Sequence, residues 1–136
     1  MTPANPNILL IGLDSDTRKA LTNLLEARHY KIQGVQTGED AINALQKQNF
    51  GAAILDIGLS ETDGLALLTT LAKANTMLPI ILLMESAPTG MDRSNELMNK
   101  GAFGIVPKSH FEFEKGLLLV VSEAMRPRTK PFARPF

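Results

Sequence analysis

Two residues in this chain have the type and placement for covalent chemistry. Asp56 ends the apolar run Ala52-Ala53-Ile54-Leu55, and Lys108 follows a second run, Gly104-Ile105-Val106-Pro107, 52 positions later. An aspartyl oxygen can attack phosphorus, and a lysine ammonium can pair with the phosphoryl oxygens. If both runs are neighbouring strands of one parallel sheet, acid and amine emerge at the same edge and can meet. The non-chemical readings are that Asp56 is a turn or cap residue and that Lys108 only neutralises it in a structural ion pair.

The pattern around them supplies such a sheet. Five short apolar runs alternate with five stretches of helical periodicity, which predicts a parallel sheet covered on both faces. The strands are expected at Ile8–Ile11, Tyr30–Val35, Ala52–Ile57, Ile80–Met84 and Phe103–Val106. The fourth, opened by Pro79 and apolar throughout, is expected to be central. The first helix takes Ser15 or Asp16 as N-cap and buries Ala20, Leu21, Leu24 and Leu25. The second is capped by Thr37, with Asp40 at the capping-box position, and presents Ala41, Ile42 and Leu45. A loop ending Asp63-Gly64 leads to the third, with Leu65, Leu68 and Leu71. A polar loop from Glu85 to Gly90 precedes the fourth, whose apolar share is Leu97 and Met98 and which Gly101 ends as a left-handed cap. The fifth runs from His110 through Phe113, Leu117, Val120, Val121 and Ala124 to Pro127.

Composition bounds the answer further. With 136 residues and 44% hydrophobic content, the chain supports one domain with a full core. It has no cysteine, which excludes disulfide stapling, thiol nucleophiles and thiolate metal sites. No apolar run reaches the roughly 18 residues of a membrane span, and the start lacks the pattern of a secretory leader, so a cytoplasmic location is expected. All 14 acidic residues lie before residue 126, whereas Arg126, Arg128, Lys130 and Arg134 interleave with Pro127, Pro131 and Pro135. Residues 1–125 therefore read as the domain and 126–136 as a basic, proline-rich tail or linker. His29 and His110 read as surface or capping residues. A nucleotide-binding enzyme on the same sheet would need a glycine-rich phosphate loop, and neither that pattern nor a Ser/His/Asp set occurs.

The segment Ile54-Leu55-Asp56-Ile57-Gly58-Leu59-Ser60-Glu61-Thr62-Asp63-Gly64-Leu65 resembles the phospho-acceptor segment of response regulator receiver domains, and Gly101-Ala102 followed by Lys108 resembles their lysine segment. The resemblance spans residues 7 to about 125. It implies an α/β, doubly wound five-stranded parallel sheet, the flavodoxin-like (βα)5 receiver fold, with Asp56 as phospho-acceptor and Lys108 as its phosphoryl and carboxylate partner. It also implies a signalling rather than an enzymatic role. The expected partners are a histidine kinase or phosphotransfer protein and a downstream output domain or protein, with homodimerisation through the fourth helix, fifth strand and fifth helix. No membrane and no direct nucleic-acid contact are expected of this domain.

The chain departs from the family at the same edge. Gly12 and Leu13 stand where the family has two adjacent acids, leaving Asp56 and the flanking Asp14 as the metal-ligand candidates for Mg2+. Met84 stands where a threonine or serine hydroxyl bonds the phosphoryl group, with Ser86 two positions on as the alternative hydroxyl contact. Ile105 replaces the aromatic switch residue, Ser109 the proline after the lysine, and Ser60 a common proline in the acceptor loop. Two readings follow. One is an atypical receiver of a two-component phosphorelay, with weak or absent phosphorylation at Asp56. The other is a phosphorylation-independent interaction or dimerisation module. Restoring the acids with Gly12→Asp and Leu13→Asp is expected to create magnesium binding.

Overall fold

The computed structural model describes residues 6–57, 61–74, 77–85, 90–109 and 112–126, with backbone alone at 61–63 and 90–94. The apolar runs form strands β1 (Asn7–Ile11), β2 (Lys31–Val35), β3 (Ala52–Asp56), β4 (Ile80–Met84) and β5 (Ala102–Pro107). Between and after them lie helices α1 (Ser15–Glu26), α2 (Gly38–Lys47), α3 (Glu61–Ala74), α4 (Gly90–Asn99) and α5 (Phe113–Ala124). All pairings are parallel, in the order β2-β1-β3-β4-β5. Chain order reverses between β1 and β3, so their carboxyl ends flank the crevice where loops diverge.

Strand side chains alternate between two apolar layers. Leu9, Ile11, Ala53, Leu55, Ile80 and Leu82 pack with residues of α2, α3 and α4 such as Ala41, Leu68 and Leu97. Ile8, Leu10, Ala52, Ile54, Ile81 and Leu83 pack with Leu21 and Leu25 of α1 and Leu117 and Val121 of α5. The run Ile80–Leu83 is buried throughout, as its continuous apolarity predicts, but β4 is flanked by β3 and β5 and the central place expected for it belongs to β3. A fully buried aliphatic side chain contributes about 1.5–3 kcal/mol relative to exposure. The core therefore outweighs any one polar contact in setting where the strand ends stand.

Several boundaries differ from expectation, each for a local reason. The α1 cap is Asp14, not Ser15 or Asp16: its extended backbone lets the side chain accept from the Thr17 N–H at 3.3 Å. Asp63 and Gly64 belong to the first turn of α3 rather than to a loop. A Cβ at residue 64 would overlap the Ile57 side chain, so glycine is required by close packing of helix on strand end. Strand β3 stops at Asp56, β5 extends to Ala102 and Pro107, and α5 begins at Phe113 rather than His110. Between β4 and β5, Ile80 pairs with Ala102 but Ile81 with Gly104, an irregularity that leaves Phe103 outside the register. It reverses the alternation of β5, so that Ala102 and Ile105 pack on one layer and Phe103 and Val106 on the other.

Ala20, expected in the apolar stripe of α1, is exposed, and Leu21 and Leu25 are the residues that α1 buries. The following expectations hold. Thr37 caps α2 by accepting from the Asp40 N–H at 3.0 Å. Gly101 follows α4 at a φ of 120°. His29 is exposed, with a φ of 71°, in the turn that closes α1. Ser60, Ser86, His110 and the tail from Pro127 onward lie outside the described residues.

Candidate functional site

At the carboxyl edge of the sheet, Asp56 of β3 is level with Leu83 of β4, which is level with Val106 of β5. Lys108, two residues beyond Val106, reaches back across the end of β4. Its Nζ donates to Asp56 Oδ2 at 2.6 Å. The Asp56 side chain is only 9% exposed, so this charge-assisted bond lies in a partly desolvated setting. The 52-residue separation of acid and amine is thus closed by strand order.

The surrounding cleft is about 780 Å³ and is lined by Gly12, Asp14, Thr17, Gln36, Glu85 and Gly64 in addition to the pair. Gly12 turns the chain out of β1 at a φ of 74°, a conformation that favours glycine, while its N–H donates to Val35 O at 2.9 Å. Leu13 then folds into the apolar layer between the sheet, α1 and α5 and is 1% exposed. Asp14 turns the other way and lines the cleft while capping α1. Hydrogen bonding from Thr17 holds its carboxyl below the usual carboxylate range, with a smaller contribution from the charge of Lys108. Position 13 therefore points into the core in this structure and not into the cleft, which sets a stability cost on restoring an acid there.

The residues at the ends of β4 and β5 also differ from a hydroxyl and aromatic pair. Met84 and Ile105 are both partly buried against the same apolar layer as Leu82 and Leu97. Next to Met84, Glu85 places Oε1 at 3.0 Å from Lys108 Nζ, so one ammonium serves two carboxylates. Burial opposes the charge on Lys108, but the hydrogen bonds to Asp56 and Glu85 outweigh it and raise its pKa above the ordinary lysine value. Backbone bonds carry the β4–β5 ladder past both strand ends: Lys108 N–H to Met84 O at 2.7 Å, and Ser109 N–H to Glu85 O at 3.0 Å.

Asp56 and Lys108 are thus brought together at one edge as the sequence predicts, but their strands are not the expected neighbours, since β4 lies between β3 and β5 and Lys108 spans it; Asp14 is at the cleft rim and Ser86 lies outside the described residues. Glu85, Gln36 and Thr17 are the lining residues that sequence reasoning missed. Glu85 had a signal, since it is the first polar residue after a wholly apolar strand. Gln36 had none: its amide donates to Leu13 O at 3.0 Å across the β2 end, a contact set by tertiary placement alone.

Residues 8–118 match the family model described as the response regulator receiver domain. The chain is 27% identical over 132 residues to the DNA-binding transcriptional regulator NtrC of Klebsiella pneumoniae, covering 93% of this chain and 28% of that protein. It is 36% identical over 93 residues to the swarming motility regulation protein RssB of Serratia marcescens, covering 68% of this chain and 40% of that protein. The chain therefore spans well under half the length of these relatives. Among solved structures, a CheY-like receiver domain protein from Methanospirillum hungatei superposes with a TM-score of 0.75 at 21% identity, covering 90% of this chain and 94% of that one. The response regulator TrrA of Thermotoga maritima, solved in complex with Mg2+ and BeF, gives 0.70 at 25% identity, covering 87% and 97%.

Proposed function

The chain belongs to the response regulator receiver domain family, and from that premise we propose that it is an atypical receiver in which phosphorylation at Asp56 is weak or absent. The observation that carries the reading is the fate of the residues around Asp56. Gly12 offers no donor, Leu13 is in the core, and Asp14 is engaged as the cap of α1. Among the described residues no group of three acids or histidines gathers as a metal cluster. This donor set does not fit the divalent cation that the family resemblance implies. Without that cation, Asp56 and Glu85 share the Lys108 ammonium and Asp14 adds a third negative charge to the cleft lining, a field that opposes an incoming phosphoryl group.

What the geometry retains is the Asp56–Lys108 pair, which ties β3 to the end of β5. A domain so built acts by contact, and no enzymatic turnover is assigned to it. Its partners are proposed to be a histidine kinase or phosphotransfer protein upstream and an output domain or protein downstream, the homodimer through α4, β5 and α5 being one form of contact. Among the described residues no helix is long and apolar enough to cross a membrane, which is compatible with the cytoplasmic setting proposed here.

Titration with magnesium chloride tests the reading, followed by the amide signals of Gly12, Asp14 and Asp56. The expected result is no saturable shift at these amides up to millimolar concentration. A saturating shift confined to them would overturn the proposal.

A further inference from the structure

Glu85 is chemically the least expected group in the cleft, because it adds a carboxylate beside an acid whose reaction partner carries negative charge. Two contacts hold it. Its carbonyl accepts from the Ser109 N–H at 3.0 Å, and its carboxylate lies 3.0 Å from Lys108 Nζ. The first exists only because residue 109 is not proline, which has no N–H to give. The departure from the family pattern at Ser109 is therefore joined to the carboxylate that follows β4 in one structure.

We propose that Glu85, held in register by Ser109, is a positioning residue that keeps the Lys108 ammonium shared between two carboxylates and so acts as a built-in competitor for any oxyanion arriving beside Asp56. The inference rests on the reading of the chain as a receiver with a weakened phosphoryl site and supplies a cause for the weakness. An ammonium has three donor directions, and Asp56 and Glu85 take two of them. The second carboxylate also repels an anion placed next to the first. Its side chain is 71% exposed, so it can be exchanged without opening the core.

The test is a sulfate titration at constant ionic strength, followed by the amide signals of Asp56, Lys108 and Ser109 in the wild-type chain and in Glu85→Gln. Removing one like charge a few ångströms from the bound anion is expected to tighten sulfate binding at the cleft about three- to tenfold. Adding Lys108→Met to Glu85→Gln is expected to abolish that binding. Equal or weaker binding by Glu85→Gln, absence of cleft shifts in both proteins, or binding that survives Lys108→Met would each overturn the proposal. Ser109→Pro, which deletes the N–H donor, is expected to shift affinity in the same direction as Glu85→Gln, and a folded Ser109→Pro protein with wild-type affinity would remove Ser109 from the account. Efficient phosphorylation of the wild-type Asp56 would defeat the weak-receiver reading itself, whereas the sulfate ratio reports on Glu85 alone.

Discussion

Leu13 and Asp14 are adjacent in the chain and end in opposite surroundings: Leu13 is 1% exposed within the layer between sheet, α1 and α5, and Asp14 caps α1 at the cleft rim. The turn at Gly12 divides them. Leu13→Asp is therefore expected to place a carboxylate in an apolar layer and to destabilise the domain by about 3 kcal/mol or more. Chemical denaturation measures this. A Leu13→Asp protein as stable as wild type, and binding magnesium, would mean that the side chain at 13 reaches the cleft. Gly12→Asp has room, since an added Cβ meets nothing nearer than Asp56 O at 3.7 Å, but its φ of 74° is expected to cost about 1–2 kcal/mol in backbone strain.

Gly64 fixes the acceptor strand against α3. In Gly64→Ala the new methyl would overlap the Ile57 side chain and lie 3.3 Å from the Ile57 Cα, one residue past Asp56. Overpacking of this kind typically costs about 1–3 kcal/mol. The expected outcome is a lowered unfolding midpoint and shifted amide signals at Asp56 and Ile57, read by urea denaturation and heteronuclear NMR. An unchanged midpoint would show that the strand end yields freely.

The layout of this domain was legible in the sequence because its signals are local. Ile80–Leu83 announces an interior strand by unbroken apolarity, and Thr37 with Asp40 announces the start of α2. The Asp56–Lys108 pair was legible because strand ends in a parallel sheet share one edge. What escaped prediction depended on packing between elements. Gly64 looks like a loop residue until Ile57 is placed against it, and the irregularity at Phe103 reverses the alternation of β5 with only the adjacent strand glycine, Gly104, to mark it. Asp14, three residues before the Thr17 N–H it accepts from, displaced Ser15 and Asp16 as cap because the chain is still extended there.

Removing the Lys108 ammonium takes a charge-assisted hydrogen bond from the partly buried Asp56. Lys108→Met is expected to lower stability by about 1–3 kcal/mol, the range for losing a charge-assisted hydrogen bond in a partly screened setting. Asp56→Asn introduced into that variant should recover part of the loss, since the partly buried negative charge is then gone. A double-mutant cycle by denaturation separates the coupling from the single effects. Zero coupling would show that the pair carries no net stability.

The same pair sets a direction at high pH. The Lys108 pKa is raised on folding, so its contribution is fully present below the unfolded-state value of 10.5 and is lost as pH rises through the higher folded value. Asp14 behaves oppositely. Its folded pKa lies below the unfolded 3.8, so its stabilisation is present above that value and is lost as pH falls through the folded one. Asp14→Asn retains a capping oxygen without this titration. The expected result is a shallower acid limb in thermal melts of Asp14→Asn than of wild type, with little change near neutrality. Identical acid limbs would remove Asp14 from the account.

The measurement closest to the central claim is intact-mass analysis after incubation with acetyl phosphate and magnesium, with Asp56→Asn treated alongside. The account predicts no phosphate-sized mass gain, or a small fraction of the protein carrying one that is labile at alkaline pH and absent from the control. A gain approaching one phosphate per chain, lost in Asp56→Asn, would contradict it and make this domain an efficient phospho-acceptor despite Gly12, Leu13 and Met84.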